Sequence, residues 1–172
     1  MSELRIRAAT AGDVQQLLDL YEDAQQWLIG QGTDQWANNT REKMHPRFMR
    51  SIEQGECYIA ENDAGLVGMV TVDEYADPEF WRPEDQPGAA LYVHRMVVDR
   101  ASAGRGIGGA LLNWAAKVAA SKGRRWLRLD AWRTNPALHG YYERQGFTPV
   151  RVAELAHRGS GALFQRSVNT AS

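Results

Sequence analysis

Cysteine is nearly absent: Cys57 is the one thiol in 172 residues. No intramolecular disulfide and no cysteine metal cluster can form from it, so a reducing compartment is expected. Its neighbours Tyr58, Ile59 and Ala60 are apolar, which points to a packed thiol rather than a reactive one. A surplus of either charge is also missing. Twenty basic residues face 21 acidic ones, a net charge of −1. A general nucleic-acid binder needs a basic excess, so the charge balance argues against that class. No run approaches the ~18 consecutive apolar residues that would span a bilayer. Met1-Ser2-Glu3-Leu4-Arg5 does not begin a basic and then apolar leader, so no secretory signal is read there. Repeats and low-complexity segments are lacking too. The expectation is a cytoplasmic protein with no membrane and no nucleic-acid partner.

What is present is ordinary globular chemistry, 44% hydrophobic and 24% charged, in a length that fits a single domain over 1–172. Leu4–Arg7 alternates like a half-buried strand. Thr10 and Asp13 have capping-box spacing. Val14, Leu17, Leu18, Tyr21, Ala24 and Leu28 follow at helical spacing, ending near Gly30 or Gly32. A second helix is predicted to begin near Pro46 and to stop before Gly55. Residues 57–61 and 66–74 read as strands joined by the turn Asn62-Asp63-Ala64-Gly65. A loop over 76–88 leads to a strand at 89–98. A helix at 107–121, a strand at 126–132, a helix opening at Asn135-Pro136, and strands at Phe147–Val152 and Ala162–Ser167 complete the order. This is a mixed, mostly antiparallel α/β sheet flanked by helices.

The densest signal is Gly104-Arg105-Gly106-Ile107-Gly108-Gly109, between a strand and a helix. Four glycines in six residues let the backbone aim successive N–H groups at one anion. The helix N-terminus adds unpaired donors and partial positive charge. The pattern is a phosphate or pyrophosphate cradle. A Walker loop is excluded, because Gly109-Ala110-Leu111 lacks the required Lys and Ser or Thr. A dinucleotide fingerprint fits Gly104-x-Gly106-x-x-Gly109 with Asp130 beyond it. Against that reading, Asp99–Ala103 separate the first glycine from its strand, and about 90 residues precede the site.

These residues resemble the GNAT superfamily of N-acetyltransferases. Its acetyl-CoA signature, Gln/Arg-x-x-Gly-x-Gly/Ala, aligns with Ala103–Gly108, followed by the apolar pair Leu111-Leu112. Ala103 departs from the family's Gln or Arg, which removes a side-chain contact and leaves the backbone cradle. Asn135, Tyr142 and Gly146-Phe147 look like the family's Asn-x6-Tyr-x3-Gly-Phe run. The resemblance is firm over 89–150.

It implies a GNAT-like sheet splayed at the cofactor site, acetyl-CoA as cosubstrate, and direct acetyl transfer to a primary amine of a small molecule or peptide. Gly104, Arg105, Gly106, Ile107, Gly108 and Gly109 would hold the pyrophosphate. Met96, Val97 and Val98 would border the pantetheine arm, their backbone pairing with it, and one N–H could polarise the thioester carbonyl. Asn135 would touch the cofactor arm, and Arg100 and Arg105 would offer charge to the 3′-phosphate. Tyr142 resembles the family's general acid at the leaving sulfur. Homodimers are also frequent in the family. The alternative is a non-catalytic acyl-CoA-binding regulatory module.

The acceptor ammonium has to lose a proton, and His94 is the first candidate base. Strand parity with Met96 and Val98 would turn it to the same side. Asp73 and Glu74 are second candidates. Trp27, Trp36, Phe80 and Trp81 lie in segments that border the acceptor in the family; they read first as core or lid packing, with stacking on an apolar or cationic acceptor as the alternative. Asp77, Glu79, Glu84 and Asp85 would suit a cationic one. No metal ligands are expected.

Overall fold

A computed structural model describes residues 3–168. The chain forms two compact units, one the part up to Thr71 with Arg95–Leu111, the other Val72–His94 with the part from Leu112 onward. In the first, strand β1 (Arg5–Ala8) pairs antiparallel with β2 (Cys57–Asn62), and β2 with β3 (Gly65–Asp73). Helices α1 (Val14–Gly30) and α2 (Arg41–Glu53) lie between β1 and β2 in the chain. Their apolar stripes (Leu17, Leu18, Tyr21, Met44, Phe48) join Cys57, Ile59, Met69 and Val97 in one core. The Cys57 thiol is buried there, and that burial pushes its pKa up to about 11. It is the packed cysteine that its neighbours announced.

The second helix begins earlier than its proline suggests. Thr40 caps α2, its hydroxyl accepting from the Lys43 N–H at 3.3 Å, and Pro46 sits inside the helix. A Ser/Thr cap decides the start, and the missing Pro46 N–H removes one bond to the Glu42 carbonyl without ending the helix.

In the second unit, β5 (Trp126–Trp132) pairs parallel with the start of β4 (Ala90–Val98) and antiparallel with β7 (Ser160–Ser167). β7 pairs antiparallel with β6 (Thr148–Val152). The strand order is β1-β2-β3-β4-β5-β7-β6, the mixed, mostly antiparallel sheet read from the pattern. Helices α3 (Ile107–Ser121) and α4 (Pro136–Arg144) follow β4 and β5. No described helix is long and apolar enough to cross a membrane.

Within each unit one contact sets the local packing. Gly68 on β3 lets the start of α3 approach: a Cβ there would lie 3.1 Å from both Ile107 Cγ2 and Leu111 Cδ1, and 3.3 Å from the Val97 carbonyl. Gly68→Val should therefore destabilise by about 1–3 kcal/mol through overpacking. Gly30→Ala, where nothing lies within 4 Å, should be neutral or stabilising. Chemical denaturation of both variants separates packing from a general intolerance of glycine loss. In the other unit, Arg151 on β6 donates to both oxygens of Asp85 and to the Phe80 carbonyl, tying down the 76–88 loop.

That guanidinium holds the Asp85 carboxyl down to about 2, and the Arg82 backbone N–H adds to the effect. A depressed carboxylate contributes stability above its unfolded pKa of about 4 and loses it as pH falls through the folded value. Asp85→Asn should remove this contribution above pH 4 and change little below about pH 2. Acid unfolding of the two proteins tests that window.

Candidate functional site

In the first unit, β4 ends with the Asp99 N–H on the Val67 carbonyl, 2.8 Å. A 3-10 turn, Arg100–Ser102, follows. Gly104 and Gly106 then take φ of +81° and +77°, left-handed conformations that a side chain would strain. Nothing stands within 4 Å of either Cβ position, so conformation and not crowding demands glycine. Helix α3 starts at Ile107, and its first intrahelical bond runs from Ala110 N–H to the Gly106 carbonyl, 3.0 Å. The N–H groups of Ile107, Gly108 and Gly109 therefore have no helical carbonyl to meet. No acidic residue stands in that first turn, and the helix dipole favours an anion there. Buried Ile107 and Leu111 fix the turn. Arg105 is exposed beside it. Ala103 is extended and simply carries the chain in.

The strand before the turn is not regular. Arg95 has φ +50°, and its guanidinium donates to Ser51 Oγ at 2.9 Å and lies 5.7 Å from the Phe48 ring centroid. A left-handed residue breaks the two-residue alternation, so parity does not carry from His94 to Met96 and Val98. Val97 is buried in the first core, with Met96 and Val98 only half-buried.

The second unit supplies the titratable groups. The β4–β5 ladder runs from Ala90↔Trp126 to Tyr92↔Arg128 and stops, although both strands continue. Two residues further along β4, His94 Nε2 lies 2.9 Å from Asp73 Oδ1. Both side chains are half-buried. The same Asp73 oxygen accepts the Tyr75 N–H at 3.0 Å, a short turn that fixes the carboxylate. An ionised carboxylate only accepts, so Nε2 is the donor of this bond, and in the neutral imidazole Nδ1 is the acceptor nitrogen. Glu74, the other second candidate, pairs with Arg124 at 2.5 Å.

Tyr142 is buried on α4. Its ring centroid lies 5.5 Å from Tyr141, 5.7 Å from Phe147 and 6.1 Å from Phe164. Burial, and then the fields of Tyr141 and Asp130, drive its phenol well above the usual tyrosine range, so it stays protonated at neutral pH. The Asn-x6-Tyr-x3-Gly-Phe spacing is the capping of this helix. Asn135 Oδ1 accepts the Leu138 N–H at 3.1 Å as N-cap, and Pro136 takes the first position. At the other end Gly146, φ +88°, donates to the Glu143 carbonyl and Phe147 N–H to the Tyr142 carbonyl, each 3.1 Å. That is a Schellman closure with its apolar contact, Phe147 on Tyr142. The cap thus engages the Asn135 oxygen.

Phe80 and Trp81 are core, packed with Tyr92 and Leu163, the packing reading of the two that the sequence left open. Asp77 and Glu79 pair with Arg158, and Asp85 with Arg151, so these acids are already neutralised. Asp130 accepts from Ser160, a strand-to-strand tie that replaces the ribose contact of the dinucleotide reading. His139 bonds the Trp132 carbonyl and His157 bonds Glu79. Sequence reasoning missed the pairing of Asp73 with His94. Its only signal was an acid at the end of the hairpin strand.

The mixed sheet, the left-handed glycine turn and the doubly capped α4 are those of an N-acetyltransferase fold. A family model described as an acetyltransferase (GNAT) domain matches residues 53–149, more than half the chain, and the chain belongs to that family. It is 28% identical over 141 residues to the uncharacterized N-acetyltransferase YesJ of Bacillus subtilis, covering 74% of this chain and 78% of that one. It is 26% identical to the uncharacterized N-acetyltransferase MJ1207 of Methanocaldococcus jannaschii, covering 87% of this chain and 62% of that one. A GNAT-family acetyltransferase from Listeria monocytogenes superposes with a TM-score of 0.73 at 25% identity, covering 95% and 94% of the two chains. The PaiA N-acetyltransferase of Thermoplasma acidophilum, solved with coenzyme A, gives 0.74 at 17% identity over 96% and 99% and attests the fold.

Proposed function

We propose that this acetyltransferase moves acetyl from acetyl-CoA directly onto a primary amine of a small molecule or peptide. What carries the reading is the open ladder: β4 and β5 stop pairing at Tyr92↔Arg128, and the His94–Asp73 pair stands two residues on. An unpaired stretch of parallel strand leaves backbone groups for an extended, amide-bearing arm to bond, and the left-handed glycines leave an open cradle at a helix N-terminus. The residues present fit such a group. When bound, acetyl-CoA supplies an activated thioester whose acetyl carbon gains the amine nitrogen while its C–S bond breaks.

The chain's residues do the rest. N–H groups at Ile107, Gly108 and Gly109 neutralise pyrophosphate charge. His94 Nδ1 takes the proton of the attacking nitrogen, directly or through one water. The Tyr142 hydroxyl donates to the departing sulfur and is reprotonated from solvent. Asn135 holds α4, and with it Tyr142, beside the cofactor arm.

Titration with acetyl-CoA, with NADH as comparator, followed by thiol release across an amine panel, tests this. Acetyl-CoA should bind and NADH should not, and thiol should appear only when an amine is present. Binding without thiol release from any amine would leave a coenzyme-binding module instead.

A further inference from the structure

Tyr75, which no motif marks, stands at the His94–Asp73 pair. Its ring centroid lies 6.3 Å from that of His94, the two planes tilted by 44°. Its backbone N–H donates to Asp73 Oδ1, the same oxygen that meets His94 Nε2. One residue on, Ala76 packs against the core of Phe80 and Trp81. The chain is thus held on both sides of Tyr75, while the residue itself is 59% exposed. Glu74, between Asp73 and Tyr75, is paired with Arg124, so its charge is already answered. All of these residues belong to the second unit. A single exposed aromatic needs no explanation by itself. One fixed against a base by that base's own carboxylate does.

We propose that Tyr75 is an acceptor-binding residue: its ring face receives the acceptor as an alkyl ammonium and presents it, still charged, to His94. This rests on the acetyl-transfer reading above. An alkylamine of pKa ~10.4 meets the protein at pH 7 as the cation. The negative face of an aromatic ring attracts a cation within ~6 Å of its centroid. With the two rings 6.3 Å apart, a nitrogen over Tyr75 can also come within ~3 Å of the imidazole. The attraction acts on the ammonium and fades once His94 Nδ1 takes the proton. It stabilises the bound ground state and not the transition state, so its loss raises KM for the amine without lowering kcat. The substrate class that follows is an aliphatic primary amine, preferred over arylamines, which are neutral at pH 7.

Steady-state kinetics with the fastest alkylamine of the panel, at saturating acetyl-CoA and with butyltrimethylammonium as inhibitor, test it. The inhibitor is a cation with no N–H to give and no nitrogen to acetylate, so it reads recognition apart from chemistry. It should compete with the amine. Tyr75→Leu should raise the amine KM and the inhibition constant together by about two- to tenfold, with kcat no lower. Tyr75→Phe keeps the ring and should hold both constants within about twofold of the unmodified protein. If Tyr75→Leu changes neither constant, or Tyr75→Phe loses as much as Tyr75→Leu, the ring face is not the recognition element and acetyl transfer still stands. A fall in kcat at unchanged KM, or turnover confined to arylamines, overturns the proposal as well. If the unmodified protein releases no thiol with any amine, the acetyl-transfer reading falls and this proposal with it.

Discussion

His94→Ala is expected to lower kcat by about 10²–10⁴-fold at pH 7, with little change in acetyl-CoA affinity. The size follows from the acceptor. An alkyl ammonium has a pKa of ~10.4, so at pH 7 neutralising it costs about 4.6 kcal/mol, a factor of about 2,500. A base that takes the proton as the N–C bond forms recovers much of that cost. The deficit of the variant should therefore shrink as pH rises toward 10, where the amine is neutral by itself. A loss that is the same at pH 7 and pH 10, or no loss at all, would remove His94 from the reaction. Asp73→Asn sharpens the test. The carboxylate can only accept from Nε2–H and so leaves Nδ1 as the basic atom. An amide can donate to Nε2 and permit the tautomer protonated at Nδ1. Asp73→Asn should cost at least about tenfold in kcat, with KM for the amine nearly unchanged.

The elements were legible where local chemistry decides them. Thr10 and Asp13 close the predicted turn, the Thr10 N–H donating to Asp13 at 2.7 Å. The hairpin turns at Asn62–Gly65 as its residues dictate. The two motifs were legible for the same reason. Gly104 and Gly106 are backbone requirements, and Asn135, Gly146 and Phe147 are the two caps of one helix, so spacing alone encodes them. The rest depends on contacts distant in the chain. His94 and Asp73 are 21 residues apart and meet through strand geometry that periodicity cannot supply. Arg95 takes a left-handed conformation, and its contacts to Phe48 and Ser51 come from α2; no local rule announces this. Phe80 and Trp81 lie in a Pro-rich, acidic loop whose aromatics left core packing and acceptor stacking both open; Arg151 and Arg158, distant in the chain, neutralise its acids, and the aromatics are core. Pro46 misled because a proline is a strong helix-start signal and Thr40, six residues earlier, is a better cap.

Tyr142→Phe should lower kcat by about ten- to hundredfold, less than His94→Ala, and leave acetyl-CoA binding nearly unchanged. The ranking rests on which proton is harder to move. A thiol of ordinary pKa, ~8.5, departs as thiolate at a cost of about 2 kcal/mol at pH 7, under half the cost of the ammonium. A hydroxyl that donates to the sulfur has less to supply. Burial keeps the Tyr142 phenol above the usual tyrosine range, so it remains a donor through pH 9 and the loss in the phenylalanine variant should be flat from pH 7 to pH 9. His94→Ala, whose deficit falls with pH, gives the opposite profile. Phe keeps the ring against Phe147 and Phe164, so the Schellman end of α4 and the unfolding midpoint should hold. A kcat loss that tracks a drop in stability would make Tyr142 a packing residue. A pH-independent loss in a stably folded variant assigns its hydroxyl to the sulfur.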